Sequence, residues 1–269
     1  MALEESEIAQ IAVLLSAERL AALSQLTGST SAAIELHQET LSLGASLMNV
    51  TATIEIALRN AVCENLGQHF AVPNWLFQPP VPFLWRPTER GKITGALDSA
   101  RRAKYSKLSQ AQKGTLDQLA YPNGRPPNTP HLKRAKDRRK QIAVSDGSVI
   151  AELTLYFWKR LFGPDYDQSL WRTTLKRTFP NKKISRATVA GKLEEIYQSR
   201  NRLAHHEPVL HKRFRETMTS IQFVIENLGM PDATPDSALA KLVAQDIAEV
   251  TSRADALHAR LDSYRIEGS

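Results

Sequence analysis

The 269-residue chain is 42% hydrophobic and 23% charged, the composition of a folded globular protein and not of a disordered one. Its formal charge of +7 and pI near 9.5 favour polyanionic partners such as nucleic acid or anionic lipid. The longest apolar stretches are interrupted by charge, so no membrane span is expected, and the single Cys63 excludes an intramolecular disulfide or a thiolate zinc cluster and fits a reducing compartment.

The start, Met1 to Glu7, is acidic where an export signal needs positive charge, so a cytoplasmic location is expected. Apolar residues recur at spacings of three and four, without alternating strands bounded by hairpin turns, which predicts an all-α fold. Ile8 to Leu26 reads as one helix ending near Gly28, and Ser29, Thr30 and Ser31 supply caps for the next. That second helix runs through Leu36, Leu43, Leu47, Ile54, Leu58, Val62 and Leu66, with Gly44 as a candidate break. Pro73 to Pro87 carries Trp75, Phe77, Phe83 and Trp85 among prolines and reads as an ordered loop with aromatics packed over a core.

Ile93 to Leu119 is predicted helical, followed by a turn-rich hinge from Tyr121 to Pro130. Lys133 to Lys140 is the densest positive charge in the chain, either a solvated helix face or a phosphate-contact surface, with Lys133, Arg134, Arg138 and Arg139 as candidate RNA contacts. Ser148 to Phe162 reads as a core helix, Trp171 to Phe179 as a shorter one, Ser185 to Glu207 as one stopped by Pro208, and Phe214 to Leu228 as another. From Ala240 to Tyr264 apolar residues form a heptad seam, which either packs on its own chain or joins a second chain as a coiled coil. The expected organisation is a helical body over 1–232, holding the basic segment at about 121–140, and a C-terminal amphipathic helix over 236–266.

Chemistry concentrates at the end of the helix from Ser185. Arg200 falls within the apolar stripe of Val189, Leu193, Ile196, Leu203 and Ala204, and a guanidinium there needs a carboxylate or an anionic ligand. Asn201 and His205, four apart, share a face. His205 and His206 stand near the helix's negative end, close in sequence to an arginine. Such an imidazole can take a proton from a ribose 2′-hydroxyl or give one to a leaving oxygen, with Arg200 stabilising the phosphate between them. His205, His206 and Glu207 point about 100° apart on a helix, so they do not read as a metal site, and His211 joins them only if the chain folds back after Pro208.

The string Arg200-Asn201-Arg202-Leu203-Ala204-His205-His206-Glu207-Pro208 resembles the motif of bacterial Abi-like (abortive infection) proteins, and within it the Arg-polar-spacer-His pattern is similar to that of HEPN domains. Glu55-Ile56-Ala57-Leu58-Arg59-Asn60 resembles a second segment of that family, and Val149 to Trp158, with Leu170-Trp171 and Phe179-Pro180, its central aromatic region. The resemblance spans roughly Ser16 to Leu210; Leu36 to Thr40 departs from it, lacking the tyrosine and Trp-Asn pair expected there. It implies a HEPN-type helical bundle with added N-terminal helices, often dimeric, in a family of metal-independent endoribonucleases and non-catalytic members. By position it makes Arg200, Asn201 and His205 active-site candidates, with His206 competing because the spacer varies, and Glu55, Arg59, Asn60 and Glu207 supporting or pocket residues. The function then expected is an endoribonuclease of phage defence or a toxin system, or alternatively an RNA-binding or regulatory module. It would use no cofactor or metal, with RNA, a second copy, and an antitoxin or neighbouring defence protein as partners.

Overall fold

Where apolar spacing follows the helical period, backbone groups pair locally and one stripe of side chains is left to bury. The computed structural model describes residues 4–267, and no strand occurs among them. In chain order the α-helices are α1 (Glu5–Leu15), α2 (Ala17–Thr27), α3 (Thr30–Phe70), α4 (Pro87–Ser106), α5 (Gln110–Ala120), α6 (His131–Lys140), α7 (Asp146–Glu152), α8 (Leu155–Arg160), α9 (Arg186–Ala204), α10 (His211–Asn227) and α11 (Ala238–Glu267). The chain divides into two units, Met1–Ala61 with Arg177–Ser269, and Val62–Lys176. The C-terminal helix belongs to the first unit, and the basic segment to the second.

In the first unit, the single helix expected over Ile8 to Leu26 is two. Ser16 leaves the helical region at φ 68° and its hydroxyl accepts the Arg19 amide of α2. Residues 1–3 of the acidic start lie outside the described residues. Gly28 ends α2 at φ 65°, in the left-handed region where a glycine carries no Cβ penalty. Gly44 does not break α3, and a Cβ there would stand a tight 3.3 Å from the Leu203 Cδ2 of α9. By length and composition alone α3 is long and apolar enough to cross a membrane, with a mean hydropathy of 1.4 over 18 residues. A central core helix meets the same criteria. Leu36, Leu43, Leu47, Val50, Ile54 and Leu58 are buried, while Asn49 and Ser46 bond Asp246 and Glu249 of α11.

The heptad seam of α11 is occupied within its own chain. Val243, Val250, Ala254, Leu257 and Leu261 are buried, and Arg260 pairs with Glu35 and Glu39 of α3. Near that end, the His211 amide donates to His258 Nε2 at 3.0 Å and the two rings stack at 4.6 Å. Burial pulls the His258 pKa below its ordinary value, helped by His211 and Arg215 and opposed by Asp262 and Asp255. Accepting that bond requires an unprotonated Nε2, so the unfolded chain binds this proton first as pH falls. His37 titrates in the same sense, through burial and Arg19. Stability from both groups is present above about pH 6.5 and lost as pH falls through their lowered pKa values. We expect the melting temperature to drop between about pH 8 and pH 5.5, and to drop less in His258→Phe, which keeps a ring but cannot be protonated; an unchanged profile would show that the pair contributes nothing.

In the unit Val62–Lys176, the helix expected over Ile93 to Leu119 is divided after Ser106, because Ser109 and Gln112 form a capping box that starts α5. The core helix expected over Ser148 to Phe162 is likewise two, α7 and α8. Around them Phe70, Trp75, Phe83, Trp85 and Tyr166 form a ring cluster with centroids 4.9 to 6.3 Å apart. Asp167–Trp171 is a π-helical turn and Leu175–Thr178 a 3-10 turn, in place of the short helix expected over Trp171 to Phe179. Glu89 is 1% exposed and accepts bonds from Arg160 Nε at 2.6 Å and Tyr166 Oη at 2.8 Å.

Candidate functional site

Helix α9 begins where the Ser185 hydroxyl accepts the Thr188 amide at 3.0 Å, and it buries Val189, Leu193, Ile196, Ser199 and Leu203. Ser199 is tied to Thr217 of α10 at 2.6 Å, which sets the rotation of α9 about its axis. With that rotation Arg200 lies beside the buried stripe, half-buried, and its guanidinium has no hydrogen bond or ion pair among the described residues. The carboxylate that its position demands is therefore not supplied there. Asn201, also half-buried, likewise has no side-chain partner among them.

The end of α9 is shaped by backbone bonds. His205 caps the helix, His206 N–H donates to Leu203 O at 3.0 Å, and Glu207 N–H donates to Arg202 O at 2.8 Å. These two bonds make a Schellman motif, whose left-handed position usually holds glycine. Here it holds His206, at φ 57°. Left-handed backbone at a residue with a Cβ costs about 1 kcal/mol or more and persists only where surrounding contacts impose it. Arg202 pairs with Glu207 at 3.0 Å across the same turn, on a half-exposed surface where such a pair contributes at most about 1 kcal/mol.

This turn separates the two histidines. His205 and His206 are both exposed. His206 lines two cavities, one of about 740 Å³ shared with Arg19, His37 and His211, and one of about 340 Å³ shared with Gly44, Met48 and Leu203. The chain thus folds back after Pro208 far enough to place His211 beside His206. Arg200 and His205 line neither of these two cavities. Glu55 and Arg59 lie half-buried and Asn60 exposed on α3, outside both cavities, whereas Glu207 lines both. Among the described residues no group of three His, Cys, Asp or Glu side chains could hold a metal ion.

The basic run forms α6, and its charge is divided in a way that spacing alone does not reveal. Arg134 and Arg138 both donate to Asp117 of α5, with Nε to Oδ1 distances of 3.0 and 2.7 Å. These bonds hold the Asp117 carboxyl well below the usual carboxylate range. Arg138 is 8% exposed and also donates to Tyr105 Oη at 3.2 Å. Arg139 Nε is buried 3.8 Å from Asp98, within reach of charge attraction but too long for a hydrogen bond. The face left to solvent is Lys133, Lys136 and Lys140, the last paired with Asp137 at 3.2 Å.

No family model matches the chain, and neither does a curated protein or a solved structure. What the site can do therefore rests on its own residues. Sequence reasoning did not identify Arg19 and His37 as neighbours of His206. No local spacing signals them, since they come from α2 and α3.

Proposed function

We propose that the chain is a metal-independent endoribonuclease of HEPN type, acting in phage defence (abortive infection) or as a toxin. The observation that carries this reading is Arg200, a permanent charge half-buried without a carboxylate partner among the described residues, on the helix that ends in His205 and His206. Its support is the likeness of Arg200 to Pro208 to the Abi-like motif. In the reaction, an imidazole takes the proton of a ribose 2′-hydroxyl, whose oxygen attacks the adjacent phosphorus. The bond to the 5′-oxygen breaks and that oxygen is protonated, leaving 2′,3′-cyclic phosphate and 5′-hydroxyl ends. Arg200 stabilises the added negative charge on the phosphoryl oxygens. Because Arg200 and His205, five residues apart on one helix, point about 140° apart around it, the active form in this reading is a homodimer in which Arg200 of one chain works with a histidine of the other. An antitoxin or neighbouring defence protein would restrain it in the cytoplasm.

The same separation favours a second reading, an RNA-binding or regulatory module without cleavage. Incubating the full chain with total RNA in excess EDTA and analysing product ends decides between them. Cyclic phosphate ends support the nuclease, RNA binding without cleavage supports the module, and loss of cleavage on adding EDTA would overturn the metal-independent mechanism.

For either reading the RNA contacts of α6 are Lys133 and Lys136. Reversing both charges is expected to weaken binding and to flatten its salt dependence, by roughly 0.7 in slope for each phosphate of a single strand that is no longer neutralised. Changing Arg134 or Arg138 instead breaks the pairing with Asp117 and is expected to lower the melting temperature. Unchanged affinity and slope in the lysine variant would leave α6 a plain solvated face.

A further inference from the structure

The larger cavity beside His206 contains an unexplained polar group. His37 is 7% exposed, Nδ1 is wholly buried, and neither ring nitrogen has a hydrogen-bond partner among the described residues. Buried polar groups are normally satisfied, and leaving one unpaired costs free energy. Burial, and then the nearby Arg19, push the His37 pKa down, so the ring is neutral and offers one donor and one acceptor.

The surroundings define what could use it. Leu23, Leu26, Leu41 and Leu261 wall the cavity with apolar surface. Its volume of about 740 Å³ lies within the range of roughly 300 to 1,000 Å³ common for small-molecule sites. Of the charged residues at the rim, Glu207 is engaged by Arg202 and Arg265 by Asp262. Glu18 stands in the first turn of α2, where the free amides of the helix favour its charge. Arg19 has no carboxylate partner among the described residues, its one bond being a long 3.5 Å approach to His206 O.

We propose that this cavity binds a small amphipathic organic anion, with an apolar body against the leucines, a carboxylate or phosphate head on Arg19, and a hydrogen bond to His37 Nε2, the ring nitrogen that is not wholly buried. The proposal stands whether or not the chain cleaves RNA, since binding is read directly. A mononucleotide and an aliphatic acid share this chemistry, and two probes distinguish them.

The test is calorimetric titration of the full chain with adenosine monophosphate and, separately, with decanoate, using sulfate as the control for simple charge. Saturable binding of either probe at one site per chain, with no binding of sulfate, is expected, and the probe that binds assigns the head and body chemistry. Arg19→Ala and His37→Asn are each expected to weaken binding by about tenfold, the effect of removing one charge-assisted or buried hydrogen bond. Leu41→Trp is the filling variant; it should abolish binding while the helical circular dichroism is kept. Absence of saturable binding by both probes, or binding unchanged in Arg19→Ala and Leu41→Trp, would overturn the assignment. If His37→Asn does not fold, the other two variants still decide it.

Discussion

Replacing His206 by glycine is expected to raise stability while it removes activity. Glycine takes φ 57° without the Cβ penalty, so the Schellman turn at the end of α9 should gain about 1 kcal/mol. The same change deletes the imidazole, and loss of a general acid or base costs roughly 10²- to 10⁴-fold in rate. Opposite signs in melting temperature and in cleavage rate are the signature of strain kept at a working residue. His206→Asn, which tolerates left-handed backbone, should lose activity with little change in stability. His205→Ala, at an exposed position outside both cavities, should be well tolerated in the fold and serves as the comparison. If His205→Ala abolishes cleavage and His206→Gly does not, the catalytic role passes to His205. Full cleavage by the variant lacking both histidines would sink the proposed mechanism.

Glu89→Ala should strongly destabilise the unit Val62–Lys176. The carboxylate is 1% exposed and receives Arg160 and Tyr166 together. Removing it leaves a partly buried guanidinium and a buried phenol without their acceptor, and breaking a buried ion pair from one side costs about 3–5 kcal/mol. Tyr166→Phe deletes one hydrogen bond and keeps the ring in its cluster, so about 1 kcal/mol is expected. Chemical denaturation monitored by helical signal measures both. A loss under about 1 kcal/mol for Glu89→Ala would show that water replaces the carboxylate, contrary to its burial.

Buried Glu89 illustrates what local reading misses. Its neighbours in sequence, Thr88 and Arg90, mark a polar helix start, and nothing in that spacing announces a carboxylate inside the core. Its partners come from beyond α7, brought close only by the packing of the helices.

Helix class, the stop at Gly28, the end of α9 before Pro208 and the candidate string from Arg200 to Pro208 were legible in the sequence, because each is set by residues within a turn or two of one another. The divisions at Ser16 and Ser109 were missed, since the apolar period continues across them and a single side-chain cap outweighs it. Whether a charge faces water was decided by the tertiary structure. Arg134 and Arg138 look like surface charge until α5 carries Asp117 to them, and the α11 seam looks free until α10 and α2 pack against that helix. The cavity around His206 is likewise a product of assembly, drawing Arg19, His37, His211 and Leu261 from four different helices. Spacing along one helix specifies which residues share a face, but which partner that face meets depends on chain segments far apart, whose docking no local pattern encodes.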